Sequence, residues 1–238
     1  MARLYPGGKS KAFNITYDDG VFQDERFVEM LNRYGIKGTF NLNSQLMRGK
    51  FAWLHPSGIQ VRRLSLEHAF HLYDGHEIAS HTLTHPYMQD LSDKELYRQL
   101  WSDKDELEEI FGRDVKGFAV PFEYCDERIA KCAEFCGFHY ARMSDCSGDY
   151  KPCTDFYHWT AGIYHIDPNL LSFVNDFLNT KQELAVRQIL GHSYELDTDN
   201  LWDTMESICD AVSKCDDIWF CTNVELVDFL RNSYLCKT

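Results

Sequence analysis

Two adjacent carboxylates, Asp18 and Asp19, stand before Gly20 at the end of an apolar stretch, and two histidines, His81 and His85, follow downstream. Imidazole and carboxylate groups are the usual protein ligands of catalytic divalent metals. Two histidines with one carboxylate leave coordination positions open for water and substrate. The second carboxylate is then free to act as a base. These residue types therefore predict a site for one catalytic divalent metal ion.

An alternation of short apolar strands with helical patterns must position these residues. Strands are predicted at 12–17, 38–42, 77–80, 117–120, 138–142, 186–191 and 217–221. Such alternation is typical of a parallel sheet with crossover helices. Seven βα-like units suit a closed barrel at least as well as an open sheet. The sequence therefore predicts an α/β fold.

The predicted strands bring polar residues from distant parts of the chain to one rim. Asp18 and Asp19 end the first strand, His81 and His85 follow the third, and His192 ends the sixth. In a parallel barrel the carboxyl ends of the strands meet at the same rim, where catalytic groups gather. If a helical turn follows the third strand, the spacing of His81 and His85 places both imidazoles on one face.

Composition narrows the classes of function. The 238 residues are 44% apolar, and a single domain spanning 1–238 is expected. Because 24 basic residues face 37 acidic ones, the net charge of -13 argues against nucleic acid and anionic membrane as partners. Nine cysteines, an odd number in a long chain, are expected to be free thiols. The N-terminus lacks the apolar run of a signal peptide, so a cytoplasmic location is expected.

Two stretches rich in glycine, proline and aromatic residues, 44–64 and 144–167, interrupt the alternation. Both lie beyond the ends of predicted strands, where a barrel carries its site-forming loops. We predict that they shape the substrate site. Glu195 follows His192 by three residues, and two interpretations are open: it lines the pocket, or it is a solvated charge.

Four segments of the sequence resemble the motifs of a known family. The segments 16–20, 75–85, 118–122 and 190–192 are similar, in order, to the motifs of the polysaccharide deacetylases, the NodB-homology family of carbohydrate esterases. The resemblance spans about residues 10 to 230. It implies a distorted (β/α) barrel, usually with seven parallel strands, and metal-dependent hydrolysis of an N-acetyl or O-acetyl group on a sugar.

The resemblance also implies roles for individual residues. It makes Asp19, His81 and His85 the metal ligands, Asp18 the general base and His192 the general acid. The implied cofactor is one divalent ion, with zinc favoured and cobalt, nickel, manganese and iron as alternatives. The metal would activate water and polarise the acetyl carbonyl, and the oxyanion would be stabilised partly by a backbone N–H. The resemblance places that N–H at Phe122, after Pro121. Glu123 stands where the family often has glycine, and we expect it to narrow the cleft or contact an amine. With Pro121, Phe122 and Glu123, Glu195 is expected among the substrate-binding residues.

Two departures from the family pattern affect the expected mechanism and substrate. Many members carry an arginine that orients the base where this chain has Ala119, so another group, Asp155 or Arg142, must orient Asp18. The missing export signal favours a soluble or lipid-linked saccharide, a sugar nucleotide or a small amide over an external polymer. Two alternatives stay open: hydrolysis of a small or cyclic amide on the same barrel, and a catalytically silent saccharide-binding module.

Overall fold

A sheet of eight parallel strands forms the centre of the computed structural model, which describes residues 4–143, 150–160 and 162–235. Two further strands form a separate antiparallel hairpin. In chain order the strands are β1 Lys11–Asp18, β2 Gly38–Leu42, β3 Ala52–Leu54, β4 Gln60–Arg62, β5 Glu77–Ser80, β6 Gly117–Ala119, β7 Tyr140–Arg142, β8 Gly162–Tyr164, β9 Ala185–Gly191 and β10 Ile218–Phe220. The hairpin is β3–β4.

The sheet is a curled half-barrel with β1 at its middle. Seven strands follow one another in the order β7-β6-β5-β2-β1-β9-β8, and β10 pairs with the first residues of β1. Beyond β7, the segment 156–159 continues the curl, since the Trp159 N–H donates to the Ala141 carbonyl at 3.2 Å, before the chain reaches β8. The predicted α/β fold and distorted barrel with about seven parallel strands are confirmed.

Helices connect the strands and cover the outside of the sheet. They are α1 Asp24–Arg33, α2 Ser44–Arg48, α3 Leu66–Ala69, α4 Asp93–Phe111, α5 Glu127–Phe135, α6 Leu170–Asn179, α7 Glu195–Thr198, α8 Trp202–Ser213 and α9 Asn223–Leu230. Short 3-10 turns occupy Pro6–Gly8, Met88–Asp90 and Pro121–Glu123, and a π turn occupies Arg231–Leu235. The Ser92 and Thr222 side chains cap α4 and α9 by accepting backbone N–H groups.

Burial of apolar side chains between the sheet and its helices holds the site-bearing strands in place. All eight residues of β1 and all seven of β9 are buried. In β1 the apolar residues Phe13, Ile15 and Tyr17 alternate with polar ones, a strand pattern that made β1 recognisable in the sequence. Each fully buried side chain such as Phe13 or Ile189 contributes about 1.5–3 kcal/mol, so the two strands form a stiff support.

The seven predicted strands are all present, with ends within two residues of the prediction. The sequence reasoning missed β8 and the β3–β4 hairpin because these strands lie in the irregular stretches 44–64 and 144–167, where strand and helix patterns do not alternate. Residues 144–149 and 161 of the second stretch lie outside the described residues.

Two expectations from composition can be compared with the described part of the chain. Its seven cysteines are free thiols, as expected. Among the helices of the described residues, none combines the length and apolarity that crossing a membrane requires.

Candidate active site

A pocket of about 280 Å³ opens at the carboxyl ends of the strands. It brings together five residues from three predicted strand ends: Asp18, Asp19, His81, His85 and His192. The rest of its lining is Val120, Phe122, Glu123, Arg142, Tyr164, Leu190 and Tyr194. Residues up to 174 positions apart thus surround one cavity, as the parallel topology predicts.

Asp19 is held in a left-handed backbone conformation, with φ at 85°. Its Oδ1 lies 2.9 Å from a guanidinium nitrogen of Arg63, and Arg63 also donates to the Asp19 carbonyl and, at 2.6 Å, to Asn43. Burial opposes ionisation of Asp19, but Arg63 and His192 hold the pKa of the carboxyl well below its ordinary value. The side chain is therefore an anion at neutral pH.

His81 is oriented as a metal-binding imidazole. Its Nδ1 lies 2.8 Å from the Ala119 carbonyl, so Nδ1 carries the proton and the Nε2 lone pair faces the pocket. Nε2 lies 3.9 Å from Oδ1 of Asp19. Burial lowers the pKa of His81 to about 4, which keeps the ring neutral, the form that metals bind.

A bend, and not a helical turn, connects His81 to His85. The helical turn considered from the sequence is therefore wrong. The residues after β5 bond to side chains: the His85 N–H donates to Thr82 Oγ1, and the Thr84 N–H donates to Gln99 Oε1, both at 3.1 Å. These side-chain acceptors replace the bonds that a helical turn would make. The two imidazole centroids still lie 4.7 Å apart.

The donor atoms of Asp19, His81 and His85 fit a divalent ion. One ligand atom from each lies within 4.8 Å of the other two. Although Asp19 Oδ1 is paired with Arg63, it is buried without a hydrogen bond of acceptable geometry. One buried oxygen and two imidazoles together match the donor types of zinc and similar metals.

An arginine and an asparagine amide both contact the carboxylate of Asp18. Arg142 forms a buried ion pair with Asp18 Oδ1, and Asn41 donates to the same oxygen at 2.7 Å. Of the two candidates for orienting Asp18, Arg142 makes the contact. Asp155 is an exposed side chain bonded to His158 at 3.1 Å. Burial opposes ionisation of Asp18, but Arg142 and His81 bring the net pKa below its ordinary value.

His192 faces the metal ligands with one nitrogen and a polar network with the other. Nε2 lies 4.0 Å from Asp19 Oδ2, while Nδ1 lies 2.7 Å from the Tyr164 hydroxyl and 3.1 Å from Glu195 Oε2. Burial alone would lower the pKa of His192, but the hydrogen bond to Glu195 and the charge of Asp19 raise it to about 9.

Glu195 neither lines the pocket nor faces solvent, so both sequence interpretations are wrong. It lies behind His192, where Oε1 accepts from the Tyr164 hydroxyl at 3.0 Å and Oε2 lies 3.1 Å from Nε2 of His165. Its position at the start of α7 turns the side chain back towards β8. The sequence did not single out Tyr164 or His165. The one available signal was their place in the stretch 144–167.

The turn after β6 carries strained, exposed residues. Phe122 and Glu123 line the pocket with φ values of 55° and 65°, and the Phe122 ring stacks on Tyr87 at 3.9 Å. Pro121, the third residue predicted here, is buried and lies outside the pocket lining. Of the eight non-glycine residues with positive φ in the described chain, four line the pocket (Asp19, His85, Phe122 and Glu123), and a fifth, Thr82, directly follows His81. Such clusters of strain occur at functional sites.

No residue of the predicted loop 44–64 lines the pocket, but the loop packs against Tyr194 of the lining and supplies an arginine that the sequence did not single out. Its β3–β4 hairpin places Trp53 edge-on to Tyr194 at 5.5 Å and delivers Arg63 to Asp19. The Arg63 guanidinium also lies 5.5 Å from the Trp53 ring. Charge alone does not distinguish Arg63 from its neighbour Arg62, which is why no sequence signal identified it.

Comparisons with known proteins agree with this architecture. The family model described as polysaccharide deacetylase matches residues 6–141. A chitooligosaccharide deacetylase from Azorhizobium caulinodans is 32% identical over 111 residues, which cover 45% of this chain and 46% of the relative. The chain spans about half the length of the curated relatives that it matches.

Solved structures show the same fold at low identity. A putative polysaccharide deacetylase from Mycobacterium smegmatis aligns with a TM-score of 0.69 at 15% identity, over 97% of this chain and 93% of that one. A CE4 family pseudoenzyme from Bacillus anthracis aligns at 0.60 and 20% identity, over 94% and 67%. Because a pseudoenzyme shares the fold, activity has to be argued from the residues of the pocket.

Proposed function

The chain belongs to the polysaccharide deacetylase family, and we propose from this premise that it removes an acetyl group from an N-acetylated or O-acetylated saccharide by metal-dependent hydrolysis. The proposal treats residues 1–238 as one catalytic domain. The observation that carries it is the meeting of Asp18, Asp19, His81, His85 and His192 in one pocket, each with a distinct set of contacts.

In the proposal, Asp19, His81 and His85 hold the metal. Zinc is the favoured ion, with cobalt, nickel, manganese and iron as alternatives. The bound ion would lower the pKa of water and polarise the acetyl carbonyl. The chain supports this role with a neutral His81, whose Nε2 faces the cavity, and with Asp19 ionised beside Arg63.

Asp18 acts as the general base in this mechanism. Its carboxylate takes a proton from the attacking water, for which it must be ionised and fixed in direction. Arg142 and Asn41 both bind Oδ1, so the second oxygen is left for the water. The lowered pKa of Asp18 keeps the base unprotonated at neutral pH.

His192 acts as the general acid. Because an amine leaves poorly as an anion, it needs a proton as the C–N bond breaks, and the Nε2 of His192 points into the cavity. Glu195 and Tyr164 hold Nδ1 from behind. The pKa of about 9 keeps the imidazole protonated at neutral pH.

The turn after β6 would bind the substrate beside these groups. The backbone N–H of Phe122 is proposed as a donor to the oxyanion, with Phe122 and Glu123 contacting the sugar. The cavity of about 280 Å³ is slightly smaller than the ~300–1,000 Å³ range of ligand pockets. This size supports one acetylated sugar residue in the pocket, as at a chain end or in a short oligosaccharide.

The test is metal analysis combined with a substrate panel. We expect about one divalent ion per chain and release of acetate from N-acetylated chitooligosaccharides. Asp18→Asn should keep the ion and lower kcat by about 10³-fold or more, because only the base is lost. The matched control Asp155→Asn, far from Asp18, should keep full activity. Full activity of Asp18→Asn would refute its role as base.

The same panel separates the two alternatives. Turnover of cyclic amides without acetate release from saccharides would assign a small-amide hydrolase. Saccharide binding with no turnover of either set would assign a silent binding module. This alternative is tested because a pseudoenzyme shares the fold. The intact set of five polar residues argues against the silent module.

A further inference from the structure

A second pocket, of about 220 Å³, adjoins the active site through Arg63. Its lining consists of Phe22, Lys50, Arg62, Arg63 and Ser65. Arg63 belongs to both sites, because it lines this pocket and also contacts Asp19 with its guanidinium group. A ligand in the second pocket would therefore lie one side chain away from the proposed metal centre.

The charge of this pocket is opposite to that of the whole chain. Three of its five lining residues are cations and none is acidic, whereas the chain carries a net charge of -13. Within the described residues, Lys50 and Arg62 have no carboxylate at ion-pair distance, although Arg33, Arg48 and Arg98 each have one. Two uncompensated cations beside a buried arginine form a local positive field that attracts anions.

The guanidinium groups of Arg62 and Arg63 are also held in place. The Arg62 guanidinium lies 4.7 Å from the Phe22 ring centroid, and the Phe22 N–H donates to the Arg62 carbonyl at 3.0 Å. Lys50 ends the turn after α2 with φ at 51°, a conformation that a lysine rarely adopts. Arg63 is 6% exposed, and its Nε is buried without a hydrogen-bond partner among the described residues. Pre-positioned donors bind with a smaller loss of side-chain entropy.

We propose that this pocket binds a phosphoryl group. A phosphoryl group offers several oxygens and up to two negative charges, which suit two guanidinium groups and one ammonium better than a single carboxylate does. A volume of about 220 Å³ accepts one phosphate or a diphosphate. The inference that this group is part of a phosphorylated acetyl-sugar substrate rests on the proposed function. Binding of the phosphoryl group does not.

The first experiment measures binding without catalysis. Protein treated with a chelator to remove metal is titrated with inorganic phosphate and pyrophosphate by calorimetry. We expect saturable binding that weakens about ten-fold or more in the double variant Lys50→Gln/Arg62→Gln, because two charged donors are lost. The control Lys94→Gln/Lys181→Gln changes the net charge equally at exposed positions elsewhere and should bind as the wild type does. Equal affinity in all three proteins, or equally tight binding of acetate, would overturn the site.

The second experiment compares acetylated substrates and identifies the source of the phosphoryl group. An N-acetylated saccharide, its sugar phosphate and a nucleoside diphosphate sugar are assayed with the wild type and the double variant. We expect kcat/KM to fall about ten-fold for one phosphorylated substrate and to stay unchanged for the neutral one. Phosphate binding without this selective loss would overturn the substrate role and leave free phosphate as the ligand. If the wild type turned over none of these substrates, the proposed function would be contradicted, but the phosphoryl-binding site would not.

Discussion

The pocket has two halves that are built on different physical principles. The metal half consists of Asp19, His81 and His85, and the acid half consists of His192, Glu195, Tyr164 and His165. In the metal half, buried ligand atoms face one another with an unbonded oxygen at Asp19. In the acid half, Glu195 accepts hydrogen bonds from His192 and Tyr164.

The backbone differs in the same way. Asp19 and His85 of the metal half have positive φ, whereas none of the four residues of the acid half does. Strained residues persist only where the surrounding structure holds them. In the proposed function the metal half receives an ion from outside the chain, whereas in the acid half His192, Tyr164 and His165 all lie within 3.1 Å of Glu195. Substitutions in the metal half should abolish binding of the proposed ion, whereas substitutions in the acid half should weaken catalysis.

The largest effect is expected from His81→Gln, which tests the metal half directly. Glutamine keeps a polar side chain but lacks the imidazole Nε2, so we expect loss of the bound ion and a fall in kcat/KM of about 10³-fold or more. Metal content by mass spectrometry and acetate release measure both effects. His71→Gln, at an exposed histidine, should change neither. An His81→Gln protein that retains a full complement of metal would remove the distinction between the halves.

The two halves also differ in how far the sequence revealed them. The metal half was predictable because each of its ligands comes just after the end of a predicted strand, and the ends of parallel strands converge. In the acid half the sequence identified His192 and singled out Glu195 without placing it correctly. Tyr164 ends the short strand β8 and His165 follows it, inside the irregular stretch 144–167, where the strand and helix patterns do not alternate.

Pairing between distant side chains explains the remaining gaps. Arg142 was one of two candidates for holding Asp18. The sequence cannot show which charged side chain contacts Asp18, because Arg142 lies 124 positions away along the chain. Arg63 was not identified because, although Pro56 and Gly58 mark a turn, the two strands of the hairpin that positions it have only three residues each. The fold was therefore predictable from local apolar patterns, whereas the contacts that fix protonation depend on tertiary placement.

An intermediate effect is expected from Glu77→Gln, which tests the strand that delivers His81. Glu77 begins β5, and its buried carboxyl accepts from Thr39, Tyr140 and the Val224 N–H. Burial raises its pKa from 4.5 to about 7. A raised pKa gives stability that is complete below about pH 4.5 and is lost as pH rises through about 7.

Glutamine mimics the protonated acid, so the variant should lack this loss. Relative to Glu77→Gln, the wild type should become less stable by on the order of 3 kcal/mol between about pH 4.5 and 8. Denaturant unfolding of both proteins across this range measures the difference, with exposed Glu67→Gln as the control. Parallel stability curves for wild type and Glu77→Gln would show that Glu77 ionises normally and that this end of β5 is not pH-sensitive.

The smallest effect is expected from Glu195→Gln in the acid half. The amide oxygen of the variant can still accept a hydrogen bond from Tyr164, but the substitution removes the negative charge that holds His192 protonated. We therefore expect kcat on an N-acetylated saccharide to fall about ten-fold while the metal is retained. A nitrophenyl acetate, whose leaving group departs without a proton, should be hydrolysed at nearly the wild-type rate. An equal loss on both substrates would mean that Glu195 supports the fold of the pocket instead of the acid. Loss of metal from Glu195→Gln would mean that the two halves are one coupled unit, because the acid half would then be holding the ion through His192 and Asp19.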